Sequence, residues 1–161
     1  MTTAEYNQSI DLHADSIYRF ALKNLKDTDI ARDIVQDTFE RLWVKVGDVS
    51  FEKVKSYLFT TAYHCIVDLT RREKKKGIYN ETNAKRMGHT TQYSDLKEIL
   101  DDALQKLPDI QRTVIMLRDY EGYNYEEIGE ITGLNESQVK VYIFRARKFL
   151  KDYIVSTEYV I

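Results

Sequence analysis

Scarcity is the first property of this chain: one cysteine, one proline and six glycines in 161 residues. A lone Cys65 cannot close a disulfide within the chain and offers no thiolate cluster for zinc, which points to a reducing, cytoplasmic setting. Three histidines, His13, His64 and His89, are scattered without ligand spacing, and no glycine-rich loop follows a strand pattern. No metal, cofactor or catalytic group is therefore expected, and the chain does not read as an enzyme. Apolar runs are only a few residues long, far short of the ~20 needed to span a bilayer. The start, MTTAEYNQSIDLHADS, lacks the basic stretch and apolar core of a secretion signal. No membrane insertion by the chain itself is expected. Steady apolar-polar alternation is also missing, so strands are not expected, and no internal repeat is present.

What is present is charge and helical periodicity. The formal net charge is only −2, but its distribution is uneven. Acids gather at Asp27, Asp29, Asp33, Asp37 and Glu40, whereas bases crowd Arg71 to Lys76 and Lys140 to Lys151. Apolar residues recur at helical spacing at Tyr6, Ile10, Ile17, Phe20, Ala21 and Leu25, and again at Ile30, Ile34, Phe39, Leu42 and Val46. Thr28 or Asp29 is the expected cap between them. A third pattern through Val54, Leu58, Ala62, Cys65 and Leu69 decays into RREKKK before Gly77.

These patterns predict an all-α protein of two small helical domains. The first covers 1–76. The polar stretch over 77–94, without a sustained period, reads as a flexible linker. The second domain, 95–161, opens with a helix from Asp95 to Lys106 that turns Leu96, Ile99, Leu100, Ala103 and Leu104 inward. Another helix follows Pro108, a favoured first-turn residue, and runs to about Tyr120.

The end of the second domain carries the most specific signal. Asn124 and Glu127 form a capping box that starts a helix lasting through Thr132, and Gly133 ends it. Asn135 and Gln138 repeat the start signal. The next helix carries Lys140, Arg145, Arg147, Lys148 and Lys151, with no acid between them, while Val139, Ile143, Ala146 and Leu150 form its inward stripe. Two helices about such a turn make a helix-turn-helix, whose second member enters the major groove. Gly129 stands where close approach favours a small residue.

Two further segments suggest surfaces. In the third helix Tyr57, Phe59, Tyr63 and His64 lead into the bases; aromatic rings stack on unpaired bases at ~1–3 kcal/mol each, so this mixture favours separated strands, though some of the rings must serve the core. The second helix sets acids and an amide beside an apolar stripe. Its Trp43, the only tryptophan, reads as a core residue or else as an interface anchor.

In this order the segments resemble bacterial RNA polymerase sigma factors of the extracytoplasmic-function type, from about Ile17 to Leu150. DIVQDTFERLW, Asp33 to Trp43, is similar to the segment of region two that docks on the clamp helices of the largest polymerase subunit. SYLFTTAYHCIVDLTRREKK, Ser56 to Lys75, is similar to the melting and minus-ten recognition segment. Leu107 to Leu150 resembles region four, whose helix-turn-helix binds the minus-thirty-five element. The chain departs from the family pattern at Tyr57, Tyr63, His64, Gly129, Gln138 and Tyr142, where Trp, Arg, Asn, Ala, Thr and Arg are common.

The resemblance implies a factor that binds core polymerase, recognises both promoter elements and directs initiation. It implies core-polymerase contacts at Asp33, Gln36, Asp37, Phe39, Arg41 and Trp43. Minus-ten contacts would be Tyr57, Tyr63, His64, Arg71, Arg72, Lys74 and Lys75. Minus-thirty-five contacts would be Ser137, Gln138, Lys140, Val141, Tyr142, Arg145 and Lys148. Partners implied are core polymerase, promoter DNA and an anti-sigma factor that masks the polymerase-facing surface. The rival expectation is a stand-alone helix-turn-helix regulator, which accounts for the second domain but not for the acidic second helix or the aromatic, basic third.

Overall fold

The computed structural model describes residues 1–76 and 92–160, so most of the expected linker, 77–91, lies outside the described residues. The helices are α1 (Thr3–Leu25), α2 (Thr28–Val44), α3 (Val54–Lys76), α4 (Gln92–Lys106), α5 (Asp109–Ile115), α6 (Tyr125–Thr132) and α7 (Glu136–Val160). A 3₁₀ turn, Phe51–Lys53, precedes α3 and a π turn, Met116–Tyr120, continues α5. No strand occurs among the described residues. The chain divides into two compact units.

In the first unit α1, α2 and α3 pack against one another. Their inward stripes supply the buried Ile17, Phe20 and Ala21, then Ala31, Ile34 and Leu42, then Val54, Leu58, Phe59 and Ala62. Phe20 meets Phe59 edge to face, with ring centroids 5.4 Å apart. Truncating such a buried Phe to Ala typically costs about 3–5 kcal/mol. Helix ends are fixed by their own chemistry. Thr2 and Glu5 close a capping box at the start of α1, and Lys26 ends that helix in the left-handed region at φ 55°. The cap of α2 is Asp27, one residue before the expected Thr28 or Asp29: its carboxylate accepts from the N–H groups of Asp29 and Ile30. A carboxylate at that place also meets the positive end of the helix dipole. Because α2 stops at Val44, Val46 falls outside the stripe that periodicity gave it.

The second unit packs α4 and α5 on α7. Ala103, Leu104, Val114, Ile115, Met116, Leu117, Ile128, Val139, Ile143 and Ala146 form its core. Helix α4 begins at Gln92, three residues before the expected Asp95. Pro108 stands at the N-cap of α5 rather than inside its first turn, and supplies no side-chain cap. The helix continues to Tyr120 as expected, but its last turn is π. Buried Arg112 is compensated by Asp109, whose carboxylate lies 2.7 Å from the guanidinium, as a buried charge requires.

Candidate nucleic-acid interface

Three surfaces emerge. On α2, Asp33, Gln36, Asp37, Glu40 and Arg41 are all exposed, and the Gln36 amide donates to Glu40 at 3.2 Å. Trp43 is 51% exposed and Val44 78%, so the tryptophan is not a core residue. Helix α1 props it: the Tyr6 ring lies edge-on at 5.0 Å, and the Tyr6 hydroxyl donates to the Phe39 carbonyl at 2.9 Å. Burial, then Glu40, push the Tyr6 phenol above its ordinary range. Phe39 departs from the expected contact set. Its side chain is buried at 6% exposure against Tyr6, so it supports the surface from beneath. Cys65 is also buried, and its thiol is raised by burial, against a lowering by Arg41.

On α3 the helical repeat of 3.6 residues sorts the aromatics. Tyr57, His64, Arg71 and Lys75, spaced by seven, seven and four, fall on one line, roughly 27 Å long at 1.5 Å per residue. Tyr57 is half-buried, and His64, Arg71 and Lys75 are exposed. Half-buried Tyr63 and exposed Lys74 share a neighbouring line, and the Tyr63 and His64 rings lie 6.0 Å apart. Arg72 is exposed on the other flank. Phe59 points the opposite way and is fully buried. The line therefore runs from flat rings into cations, a surface suited to unpaired bases and their backbone.

The third surface is the α6-turn-α7 element. Asn124 and Glu127 cap α6 reciprocally at 2.8 and 2.9 Å. Gly133 ends the helix at φ 81° and donates its N–H to Gly129. The turn is tight: a Cβ at Gly129 would stand 2.7 Å from the Leu134 carbonyl oxygen. Asn135 and Gln138 form a second reciprocal cap at 2.8 and 3.0 Å. The Gln138 oxygen is thus engaged by the Asn135 N–H, and its amide donor is the end that can read a base. Along α7, Ser137, Gln138, Lys140, Val141, Arg145 and Lys148 are exposed and Tyr142 is half-buried, while Val139, Ile143 and Ala146 face inward. Leu150, expected in that stripe, is only half-buried.

Acids bracket the basic run. Glu136 lies 3.9 Å from Lys140, and Asp152 lies 3.4 Å from Lys148. Arg147 grips Asp119 of the π turn through both its Nε and a terminal nitrogen. That hydrogen bonding raises the guanidinium further above its ordinary range, in spite of partial burial. Arg118, whose guanidinium donates to the Tyr123 carbonyl at 2.9 Å, sits 4.8 Å from the Tyr125 ring, and Lys140 sits 5.8 Å from the same ring. Sequence reasoning missed Tyr125 and Asp119, and it left the 69% exposed Phe144 on the outer faces of the helix without a role. The first two act across folded distances that no periodicity encodes, and Phe144 was visible only as a large apolar residue left off the inward stripe.

Two family descriptions match separate stretches of the chain. The family description "Sigma-70 region 2" matches residues 10–76, and "Sigma-70, region 4" matches residues 97–150. The ECF RNA polymerase sigma factor SigM of Bacillus subtilis is 30% identical over 145 residues, covering 87% of this chain and 89% of SigM. RNA polymerase sigma factor SigV of the same organism is 32% identical over 142 residues, covering 86% and 84%. Among solved structures, the sigma factor RpoE in complex with the anti-sigma factor NepR, from Bartonella quintana, superposes with a TM-score of 0.77 at 26% identity, covering 92% of this chain and 96% of RpoE. A stand-alone helix-turn-helix regulator is not favoured, because it leaves the match over 10–76 without a purpose. The chain belongs to the ECF family of RNA polymerase sigma factors.

Proposed function

We propose that the unit built on 1–76 docks on core RNA polymerase and captures the opened minus-ten element, while the unit over 95–161 grips the minus-thirty-five duplex. The observation carrying this reading is the pair of adjoining surfaces on one small helical unit. One is acidic with an exposed Trp43, and the other is the ring-and-cation line of α3. Asp33, Gln36, Asp37, Arg41 and Trp43 make the polymerase contacts, with Phe39 supporting them. Bases leaving the minus-ten stack meet Tyr57, Tyr63 and His64, and Arg71, Arg72, Lys74 and Lys75 hold the backbone. Stacking then offsets the few kcal/mol of unpairing, so opening needs no nucleotide hydrolysis and no catalytic residue.

In the second unit Ser137, Gln138, Lys140, Val141, Tyr142, Arg145 and Lys148 meet the upstream element. Amide and hydroxyl groups near the helix start address base edges, and the cations address phosphates. Joining two weak grips by the chain over 77–94 raises the effective concentration of the second once the first is made. Free protein accordingly binds promoters poorly, and polymerase makes it specific. An anti-sigma factor that covers the polymerase-facing surface is the regulatory partner; the support is RpoE, which is seen with one. Among the described residues no helix is long and apolar enough to cross a membrane, and the work proposed belongs in the cytoplasm.

Run-off transcription with sigma-free core enzyme on a promoter library tests this. The purified chain is expected to restore initiation at a subset of templates sharing both elements. Failure on every template overturns the proposal.

A further inference from the structure

The start of α7 fixes what one of its side chains can recognise. By the helical repeat Ser137, Val141, Arg145 and Lys148 form the groove-reading stripe, and Gln138 lies at its edge, in line with Arg145 seven residues on. Gln138 is exposed, yet it is not free to turn. Its Oε1 accepts from the Asn135 backbone N–H at 3.0 Å, while its own backbone N–H donates to the Asn135 side-chain oxygen at 2.8 Å. A backbone N–H is only a donor, so the atom that meets it is the carboxamide oxygen and not the nitrogen. The Nε2 group, with two N–H bonds, is left over: it donates to no protein group among the described residues.

The first helix of the motif supplies a comparison. Helix α6 begins with the same reciprocal cap, at 2.8 and 2.9 Å, but with Glu127 in the place of the amide. For capping alone a carboxylate is the better group, because it also meets the positive end of the helix dipole. At α7 the chain carries an amide instead. That amide closes the same cap and keeps two donors at the end of the helix that enters the groove.

A glutamine with both ends free reads adenine, accepting from N6 and donating to N7. Gln138 cannot do so without giving up its cap. A donor-only amide matches guanine, whose major-groove edge offers two acceptors, N7 and O6, and it opposes cytosine, whose edge presents the N4 donor. We propose that Gln138, held by Asn135, is a specificity-determining residue that selects guanine over adenine at one position of the upstream element. The inference rests on the assignment of α7 to that duplex and deepens it, because it names the base edge that the helix start requires.

The test measures binding of the polymerase complex, formed with the full chain, to duplexes randomised over the upstream element, for the wild type and for Gln138→Glu. Glutamate keeps the cap, as Glu127 does at α6, and replaces the two donors by an acceptor. Ranking the bases within each protein removes the uniform loss that a new negative charge near phosphates brings. For the wild type, guanine is expected to exceed adenine at least fivefold at one position. In Gln138→Glu that position alone is expected to change, with guanine falling from first place to last. At the same position 7-deazaguanine, which lacks the N7 acceptor, should weaken the wild type at least threefold, and inosine, which keeps N7 and O6, should bind as guanine does. A preference for adenine at the position that depends on residue 138 overturns the proposal, because the oxygen then leaves its cap to accept from N6. Identical base preferences in the two proteins also overturn it and reduce Gln138 to a helix cap. Both outcomes leave run-off initiation by the wild type intact, so they are distinct from failure of that assay, which removes the promoter recognition on which this inference rests.

Discussion

Gly129 stands so close to the carbonyl of Leu134 that a Cβ there would approach its oxygen to 2.7 Å. The neighbour is backbone in the turn between α6 and α7, so it cannot swing aside as a side chain would. Gly129→Ala therefore sets a helix-propensity gain of ~1 kcal/mol against an overpacking cost of ~1–3 kcal/mol. The expected result is a net loss of about 1 kcal/mol in urea unfolding, with α7 displaced at its start. Gly47, whose added Cβ would meet nothing within 4 Å, is the control. A midpoint that rises for Gly129→Ala would show that the turn relaxes freely.

Asp119 and Arg147 join the π turn to α7 across 28 residues of sequence. Both side chains are partly exposed, 39% and 49%, so the pair is screened and its worth is at most about 1 kcal/mol. Its geometry matters more than its charge, because lysine cannot reproduce the two-pronged contact. Arg147→Lys is expected to lose nearly as much stability as Arg147→Ala. Thermal unfolding at low and high salt checks this, and full retention of stability by the lysine variant would contradict it.

The helices, the two units and the helix-turn-helix were legible in the sequence because each rests on local rules. Apolar spacing placed the core stripes, and the paired Asn-Glu and Asn-Gln signals placed both starts of the turn element, each observed as a reciprocal hydrogen-bonded cap. What escaped was tertiary. Trp43 sits on the same helix as buried Leu42 and Phe39, and only the finite width of the α1 contact leaves it outside. The same packing takes Phe39 out of reach. Asp27 displaced Thr28 and Asp29 as the cap because any of the three has the right chemistry, and the fold chose the one whose carboxylate reaches two N–H groups.

His13 should make stability depend on pH. Burial, and secondarily Lys55, lower its pKa from the ordinary 6.5. The unfolded chain then binds a proton before the folded one does, and stability falls as pH drops from the unfolded pKa towards the depressed folded one. Above pH 7 the group is neutral in both states and contributes no slope. Urea midpoints between pH 8 and 5 should decline for the wild type and less steeply for His13→Gln. Identical profiles would assign the dependence to other groups.

Trp43 offers a direct view of polymerase docking. Removing a half-exposed ring loses about 1 kcal/mol of stability, most of it the edge contact with Tyr6. An aromatic anchor at a docking surface is worth about 2 kcal/mol of affinity or more, roughly thirty-fold. Trp43→Ala is expected to fold, and to bind core polymerase at least tenfold more weakly in a competition assay. As the only tryptophan of the chain, Trp43 should also shift its emission to shorter wavelength when core enzyme lacking tryptophan fluorescence covers it. An unchanged affinity would move the docking surface off the end of α2.

Arg145 and Arg147 are two residues apart on α7, yet they should behave oppositely towards DNA. Arg145 is exposed on the groove-reading stripe, whereas Arg147 is turned towards Asp119 and held there. A cation that meets a phosphate releases counterions, and losing it lowers the slope of log affinity against log salt by about one. Arg145→Ala should therefore weaken binding of the polymerase complex to the upstream duplex and flatten its salt dependence by that amount. Arg147→Ala should leave the slope as it was and show its effect in thermal unfolding. Measured across salt concentrations, equal slopes for the two variants would mean that Arg147 leaves Asp119 for the phosphate when DNA arrives, and the ion pair would then be a resting contact of the free protein.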